Sequence, residues 1–173
     1  MRWSLRSPTV DDVDAIVAIN IRAWRHAYAD LMPAEVLAGL EPGPRAARLR
    51  ERLRTGSSTE GLVAVDDDGE VAGYCWFGDY RPDDEVASPD GPGWAEVYAM
   101  YVDPRRHRAG AGSALMTAAL AALAPRPVAL WVLEGNTPAR GFYERHGFRP
   151  DGAAASFGVG GLAVPEVRYV LTR

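Results

Sequence analysis

Residues 105–116 read RRHRAGAGSALM. Four basic side chains, Arg105, Arg106, His107 and Arg108, stand directly before a small-residue turn, Gly110-Ala111-Gly112, which runs into an apolar stretch that favours helix. The first free N–H groups of a helix point outward with partial positive charge, and they bind anions, phosphate above all. Glycine at 110 and 112 permits unusual dihedrals and close approach of a ligand, so the amides of residues 108–113 can converge on one anionic group. The three arginines would add charge around it.

Two other phosphate-binding loops fit less well. The P-loop needs Lys after its second Gly, and all 19 residues counted as Lys or Arg are Arg, which also removes Schiff-base chemistry. A dinucleotide loop would be Gly-x-Gly-x-x-Gly straight off a strand. Here Leu115 stands at the third Gly, and Pro104 to Arg108 intervene. Net charge is −4, which argues against general affinity for nucleic acid, so any anion site must be local.

The elements that would position this loop follow from pattern. Length, 173 residues with 47% apolar, suits one domain. A short strand at Trp3–Arg6 leads to a helix over about 10–28, opened by Thr9 and Asp12 and carrying Val13, Ile16, Val17 and Trp24 at helical spacing. Two more helices follow, Ala34–Leu40 and GPRAARLRERLRTG, the second with its arginines on a solvated face. Val63–Val65 and Val71–Phe77 form a hairpin around an Asp-Asp-Asp-Gly turn, and residues 79–93 form a long exposed loop. WAEVYAMYVDP is a strand, SALMTAALAALA a helix, PVALWVL a strand, and TPARGFYERHG a helix closed by Gly147. A final strand, Glu166–Thr172, follows a Gly/Ala-rich loop. A strand-helix-strand unit beside a hairpin requires an α/β fold with a mixed sheet. No apolar run reaches the roughly 20 residues that span a bilayer, and no signal-peptide pattern opens the chain, so a cytoplasmic location is expected. The single Cys75 is expected to be a core residue, and no metal site is expected.

YVDPRRHRAGAGSALM and LWVLEGNTPARGFYERHGF together resemble the two signature segments of the Gcn5-related N-acetyltransferases (GNAT), which move an acetyl group from acetyl-CoA to an amine. RAWRHAYADLMP also looks like the N-terminal part of many bacterial members. The resemblance implies a mostly antiparallel sheet flanked by helices, with two central parallel strands splayed apart. It makes Met100, Tyr101 and Val102 the stretch along the pantetheine arm, and His107, Arg108, Ala109, Gly110, Ala111, Gly112 and Ser113 the pyrophosphate cradle. Asn136 matches the family's cofactor-contacting Asn, and Tyr143, seven residues on, the Tyr near the thioester sulfur. Where the family usually carries Gln or Arg, three residues before the first Gly, this chain has His107.

Acetyl transfer needs a neutral amine, oxyanion stabilisation and a proton for the departing thiolate. Tyr143, with an ordinary phenol pKa of about 10, can hydrogen-bond to a thiolate and protonate it. In AEVYAM, alternation puts Glu96, Tyr98 and Met100 on one face, and Glu96 is the candidate to take the substrate's proton, with Glu134 and His26 in reserve. The resemblance places the oxyanion against a main-chain N–H near Met100 or Tyr101. Attack would be direct, in a ternary complex. Trp24, Tyr28, Trp76, Tyr80 and Trp131 are candidates for the acceptor groove, and the acidic loop with Asp83, Asp84 and Glu85 would suit a cationic amine. The acceptor is a small molecule or a peptide; a different acyl group or acceptor, or an acyl-CoA-binding sensor without turnover, stays open. Neither a nucleic acid nor a membrane is an expected partner, and a homodimer is expected from the resemblance alone.

Overall fold

The computed structural model describes residues 3–56, 60–82 and 86–172. Seven strands form one sheet: β1 (Ser4–Arg6), β2 (Glu60–Val65), β3 (Val71–Asp79), β4 (Ala95–Val102), β5 (Val128–Leu133), β6 (Arg149–Val159) and β7 (Leu162–Leu171). Their spatial order is β1-β2-β3-β4-β5-β7-β6. Every neighbouring pair is antiparallel except β4 and β5, which run parallel with α4 (Ala111–Leu123) as the crossover. The remaining helices are α1 (Val13–Ala27), α2 (Ala34–Ala38), α3 (Pro42–Thr55) and α5 (Thr137–Arg145).

Each face of the sheet buries its own core. Ala111, Leu115, Met116 and Ala119 of α4 pack with Cys75, Phe77, Val97, Leu130, Phe148 and Tyr169 on one face. On the other, Ile16, Ile19 and Trp24 of α1 and Ala46 of α3 cover β2, β3 and the end of β5. Leu115 is fully buried. Truncating it to Ala should therefore cost about 3 kcal/mol of folding free energy through lost transfer and a residual cavity, read as a lower urea midpoint.

Three departures from the sequence reading matter for the site. First, the Gly/Ala-rich segment predicted as a loop is strand β6, paired with β7 from Arg149↔Val170 to Val159↔Leu162. Gly160 and Gly161 turn the hairpin with φ of 57° and 78°, a left-handed pair that glycine adopts without steric cost. Second, alternation along β4 breaks. Trp76 pairs with Ala99 and Phe77 with Val97, so Tyr98 is an extra residue, a bulge that flips the faces beyond it. Met100 and Val102 thus share the α4 core with Val97, while Tyr98, Ala99 and Tyr101 face the α1 side; the predicted grouping of Met100 with Glu96 is overturned. Third, the arginines of α3 do not all lie on a solvated face. Arg48 and Arg54 are exposed, but Arg45 and Arg52 turn inward, Arg45 over the Trp24 ring at 5.4 Å and Arg52 over Trp76 at 3.9 Å. No helix among the described residues is long and apolar enough to cross a membrane.

Candidate active site

The parallel strands pair only from Ala95↔Val128 to Val97↔Leu130. Beyond that point β5 stays with β7 as far as Leu133↔Glu166, while β4 continues beside β3 to Val102. The bulge at Tyr98 sits where they part. β4 passes there from buried at Ala95–Val97 to half-buried at 98–102, although it is a central strand. A gap lined by the free edge of β4 is the result.

The loop after β4 lies at the mouth of that gap. Asp103 fixes its start: its side chain accepts from the backbone N–H of Arg105 at 3.1 Å and pairs with Arg22 at 2.7 Å and Arg105 at 2.8 Å. Burial alone would raise the Asp103 carboxyl, but the hydrogen bonds from Arg105 and Arg22 outweigh it and hold the group well below the usual carboxylate range. His107 then aligns its Nε2 with the Val102 carbonyl at 3.3 Å and meets the His26 ring edge-on at 5.4 Å. Arg108 has φ 62°, and Gly110, the N-cap residue of α4, φ 89°. Two left-handed residues two apart bend successive amides into a concave nest at the head of α4, a surface that suits an anion. The Trp3 indole N–H holds the loop from outside by donating to the Ala109 carbonyl at 2.8 Å.

The charge expected around the cradle is smaller than the sequence suggested. Arg105 is committed to Asp103, and Arg106 reaches Asp66 of the β2–β3 turn at 2.7 Å. Arg108 is exposed and, among the described residues, in no ion pair. What this loop offers an anion is therefore mainly main-chain N–H groups from Arg108 to Ser113.

Across the gap, α5 presents Asn136 and Tyr143. Asn136 caps the helix by accepting from Ala139 N–H at 3.3 Å, which leaves its amide NH2 without a partner among the described residues. Arg140 anchors the helix, donating to the Glu134 carbonyl at 2.9 Å and the Tyr169 hydroxyl at 3.0 Å. Glu134 thus braces the turn through its backbone, with its side chain exposed. A Cβ on Gly135 would come within 2.5 Å of Leu31, so this glycine lets the α1–α2 connection cross close over the end of β5. Tyr143 packs edge-on against Phe142 at 5.5 Å and Phe148 at 6.1 Å, and its hydroxyl has no hydrogen-bond partner among the described residues. Burial, then the neighbouring Tyr101 and Cys75, push its phenol above the ordinary value.

Tyr101 enters the same gap from the α1 side, its hydroxyl 3.1 Å from that of Tyr28. Burial first, and for Tyr28 the Tyr101 contact next, raises both phenols, so all three stay protonated at neutral pH. That convergence of Tyr28, Tyr101 and Tyr143 was not legible in the sequence; the Tyr28 and Tyr101 hydroxyls meet only because the bulge turns Tyr101 toward α1.

Glu96 is buried and held by Arg81, which contacts one carboxylate oxygen through Nη2 at 2.8 Å and the other through its backbone N–H at 3.0 Å. Arg81 also lies 4.0 Å over the Tyr98 ring. Of the aromatic candidates, Trp24, Tyr28 and Trp76 are buried, and Tyr80 and Trp131 flank Arg168, Tyr80 accepting from it at 3.0 Å. His26 is exposed on α1. Cys75 is fully buried, its thiol pushed up to about 12 by burial, so it is core rather than nucleophile. Asp83, Asp84 and Glu85 lie outside the described residues.

The model of the acetyltransferase (GNAT) family matches residues 19–148, from within α1 to just past α5 and including the splay, the amide nest and Tyr143. This chain belongs to the GNAT acetyltransferase family. It is 36% identical over 156 residues to a mycothiol acetyltransferase of Clavibacter sepedonicus, matching 84% of this chain but only 42% of that protein. It thus spans about two fifths of that relative's length. The N-acetyltransferase YuaI of Bacillus subtilis is 28% identical over 168 residues, 95% of this chain and 90% of that one. Among solved structures, the PaiA N-acetyltransferase of Thermoplasma acidophilum, in complex with coenzyme A, matches 96% of this GNAT chain and 98% of its own at TM-score 0.71 and 17% identity, a likeness of fold.

Proposed function

We propose that this chain is an acetyl-CoA-dependent N-acetyltransferase that acetylates a primary amine by direct transfer within a ternary complex. The observation that carries the reading is a left-handed amide nest following the free edge of β4, with a Tyr143 hydroxyl that has no hydrogen-bond partner among the described residues close to Tyr101 of that edge. The residues fit a long anionic cofactor: main-chain N–H groups of 108–113 would hold its pyrophosphate, and Met100, Tyr101 and Val102, whose edge no longer pairs with β5, its amide-bearing arm. When bound, acetyl-CoA supplies an acetyl group activated as a thioester.

The chain's own groups do the rest. Tyr143, kept neutral by burial, holds a proton for the departing thiolate. Asn136 directs its free amide N–H from the head of α5. Glu96 accepts the amine's proton, through water, once the largely exposed Arg81 moves off its carboxylate. With Cys75 sealed in the core, the protein supplies no acyl-carrying thiol. Thiol release from acetyl-CoA, assayed across small amines and peptides, should depend on the amine. Coenzyme A binding without turnover on any acceptor would instead identify a sensor module.

A further inference from the structure

We infer that the acceptor carries a carboxylate beside its reactive amine, and that Arg45, with the Trp24 indole N–H and the paired Tyr28 and Tyr101 hydroxyls, recognises it. This rests on the N-acetyltransferase reading above and names its substrate class. Arg45 sits half-buried in the first turn of α3. A cation there opposes the helix dipole, and partial burial without a counter-ion adds a desolvation cost. Eight ion pairs join described residues, and none includes Arg45. Its one hydrogen bond among the described residues goes to the neutral Asn20 Oδ1 at 3.1 Å, so most of the guanidinium's five N–H groups have no partner there.

A second donor stands at the same place. Trp24, over whose ring Arg45 lies, is only 8% exposed, and its Nε1–H makes no well-aligned hydrogen bond among the described residues, its near neighbour being the Tyr101 hydroxyl. That hydroxyl lies within the field of Arg45 and shares one hydrogen bond with the Tyr28 hydroxyl. Of two hydroxyls joined by a single bond, one keeps its proton free to donate. Guanidinium, indole and phenol thus converge as donors, and among the described residues none of the three pairs with a carboxylate, Glu96 being held by Arg81. A cluster of donors around an uncompensated cation is the environment a carboxylate matches, through charge-assisted hydrogen bonds.

Position links this cluster to the reaction. Tyr101 lies on β4 beyond the point where β5 departs, opposite Tyr143, so a carboxylate at Arg45 and an amine at the gap belong to one compact molecule. Phe157 of the β6–β7 hairpin, edge-on to Trp24 at 5.8 Å, is the side chain such an acceptor would pack against.

Matched trios test this: alanine, methionine and phenylalanine, each against its carboxamide and its decarboxylated amine, with saturating acetyl-CoA and thiol release as readout. At least one acid should exceed its carboxamide by about tenfold or more in kcat/KM, the scale of hydrogen bonds to a charged group. Arg45→Gln should raise KM for that acid about tenfold, with kcat and the carboxamide little changed, and Arg45→Lys should recover part of the loss. Arg48→Gln, exposed on the same helix, controls for general charge loss. Equal use of acid and carboxamide, or equal damage to both by Arg45→Gln, would overturn the carboxylate assignment while leaving the transferase reading intact. If no amine releases thiol, the transferase reading fails by itself. Calorimetry of the N-acetyl acids against their carboxamides on coenzyme A-loaded protein then decides the carboxylate site, which a lack of preference removes.

Discussion

The Gly110→Val variant is expected to lose about 30- to 150-fold in coenzyme A affinity while keeping its fold. Gly110 holds φ 89° and ψ −6° at the head of α4. A β-branched residue there is strained by about 2–3 kcal/mol, so the loop relaxes to another conformation that binding must reverse, at tenfold per 1.4 kcal/mol. The damage comes from the backbone and not from obstruction, because a Cβ at this position meets only Trp3 Nε1, at 3.7 Å, on the outer side of the loop. Gly112 provides the contrast. Its Cβ would rest 3.4 Å from Phe142 and 3.6 Å from Val102, close to ordinary contact, and its φ is not left-handed. Gly112→Ala should therefore stay within about threefold of wild type. Calorimetry with coenzyme A on both variants reads the difference, and unchanged affinity in Gly110→Val would show that the anion is held elsewhere.

Features with local determinants were legible before the structure. The amide nest at the head of α4 needs glycine at a left-handed cap, α5 needs an N-cap before Pro138, and both leave marks in a few adjacent residues. The mixed sheet, with one strand-helix-strand unit beside a hairpin, needed only the alternation of strand and helix patterns. What stayed hidden depends on contacts distant in sequence. Residues 149–159 carry Gly and Ala where strands usually carry β-branched residues, and they form β6 because the neighbouring β7 supplies a ladder. The bulge at Tyr98 arises from pairing with β3, so no inspection of AEVYAM could place Tyr101 on the α1 side. Arg81 finds Glu96 across 15 residues, and Arg45 meets Trp24 across 21, in each case through the fold. The arginines of α3 look alike in sequence; only the packing of α3 on α1 separates the inward pair from the solvated ones.

Tyr143→Phe tests the acid directly, and its kcat should fall about 100-fold, within the usual contribution of a positioned general acid. The variant removes one oxygen whose hydroxyl has no hydrogen-bond partner among the described residues, so no partner is stranded and the fold should hold within about 0.5 kcal/mol. Acceptor KM and coenzyme A affinity should move less than about threefold, because neither the cradle nor Arg45 is touched. The pH profile sharpens the test. Burial, followed by Tyr101 and Cys75, raises the folded phenol above its unfolded value near 10. The acid thus stays protonated throughout the neutral range, and wild-type kcat should show no alkaline loss from this group below about pH 10. Stability follows the same sign. The unfolded chain sheds protons that buried Tyr28, Tyr74, Tyr101 and Tyr143 retain, so stability is complete below pH 10 and declines as pH rises beyond it. Tyr143→Phe should lessen that decline. A core aromatic without a chemical role would let Phe keep full turnover, and wild-type kcat in the variant would remove Tyr143 from the reaction.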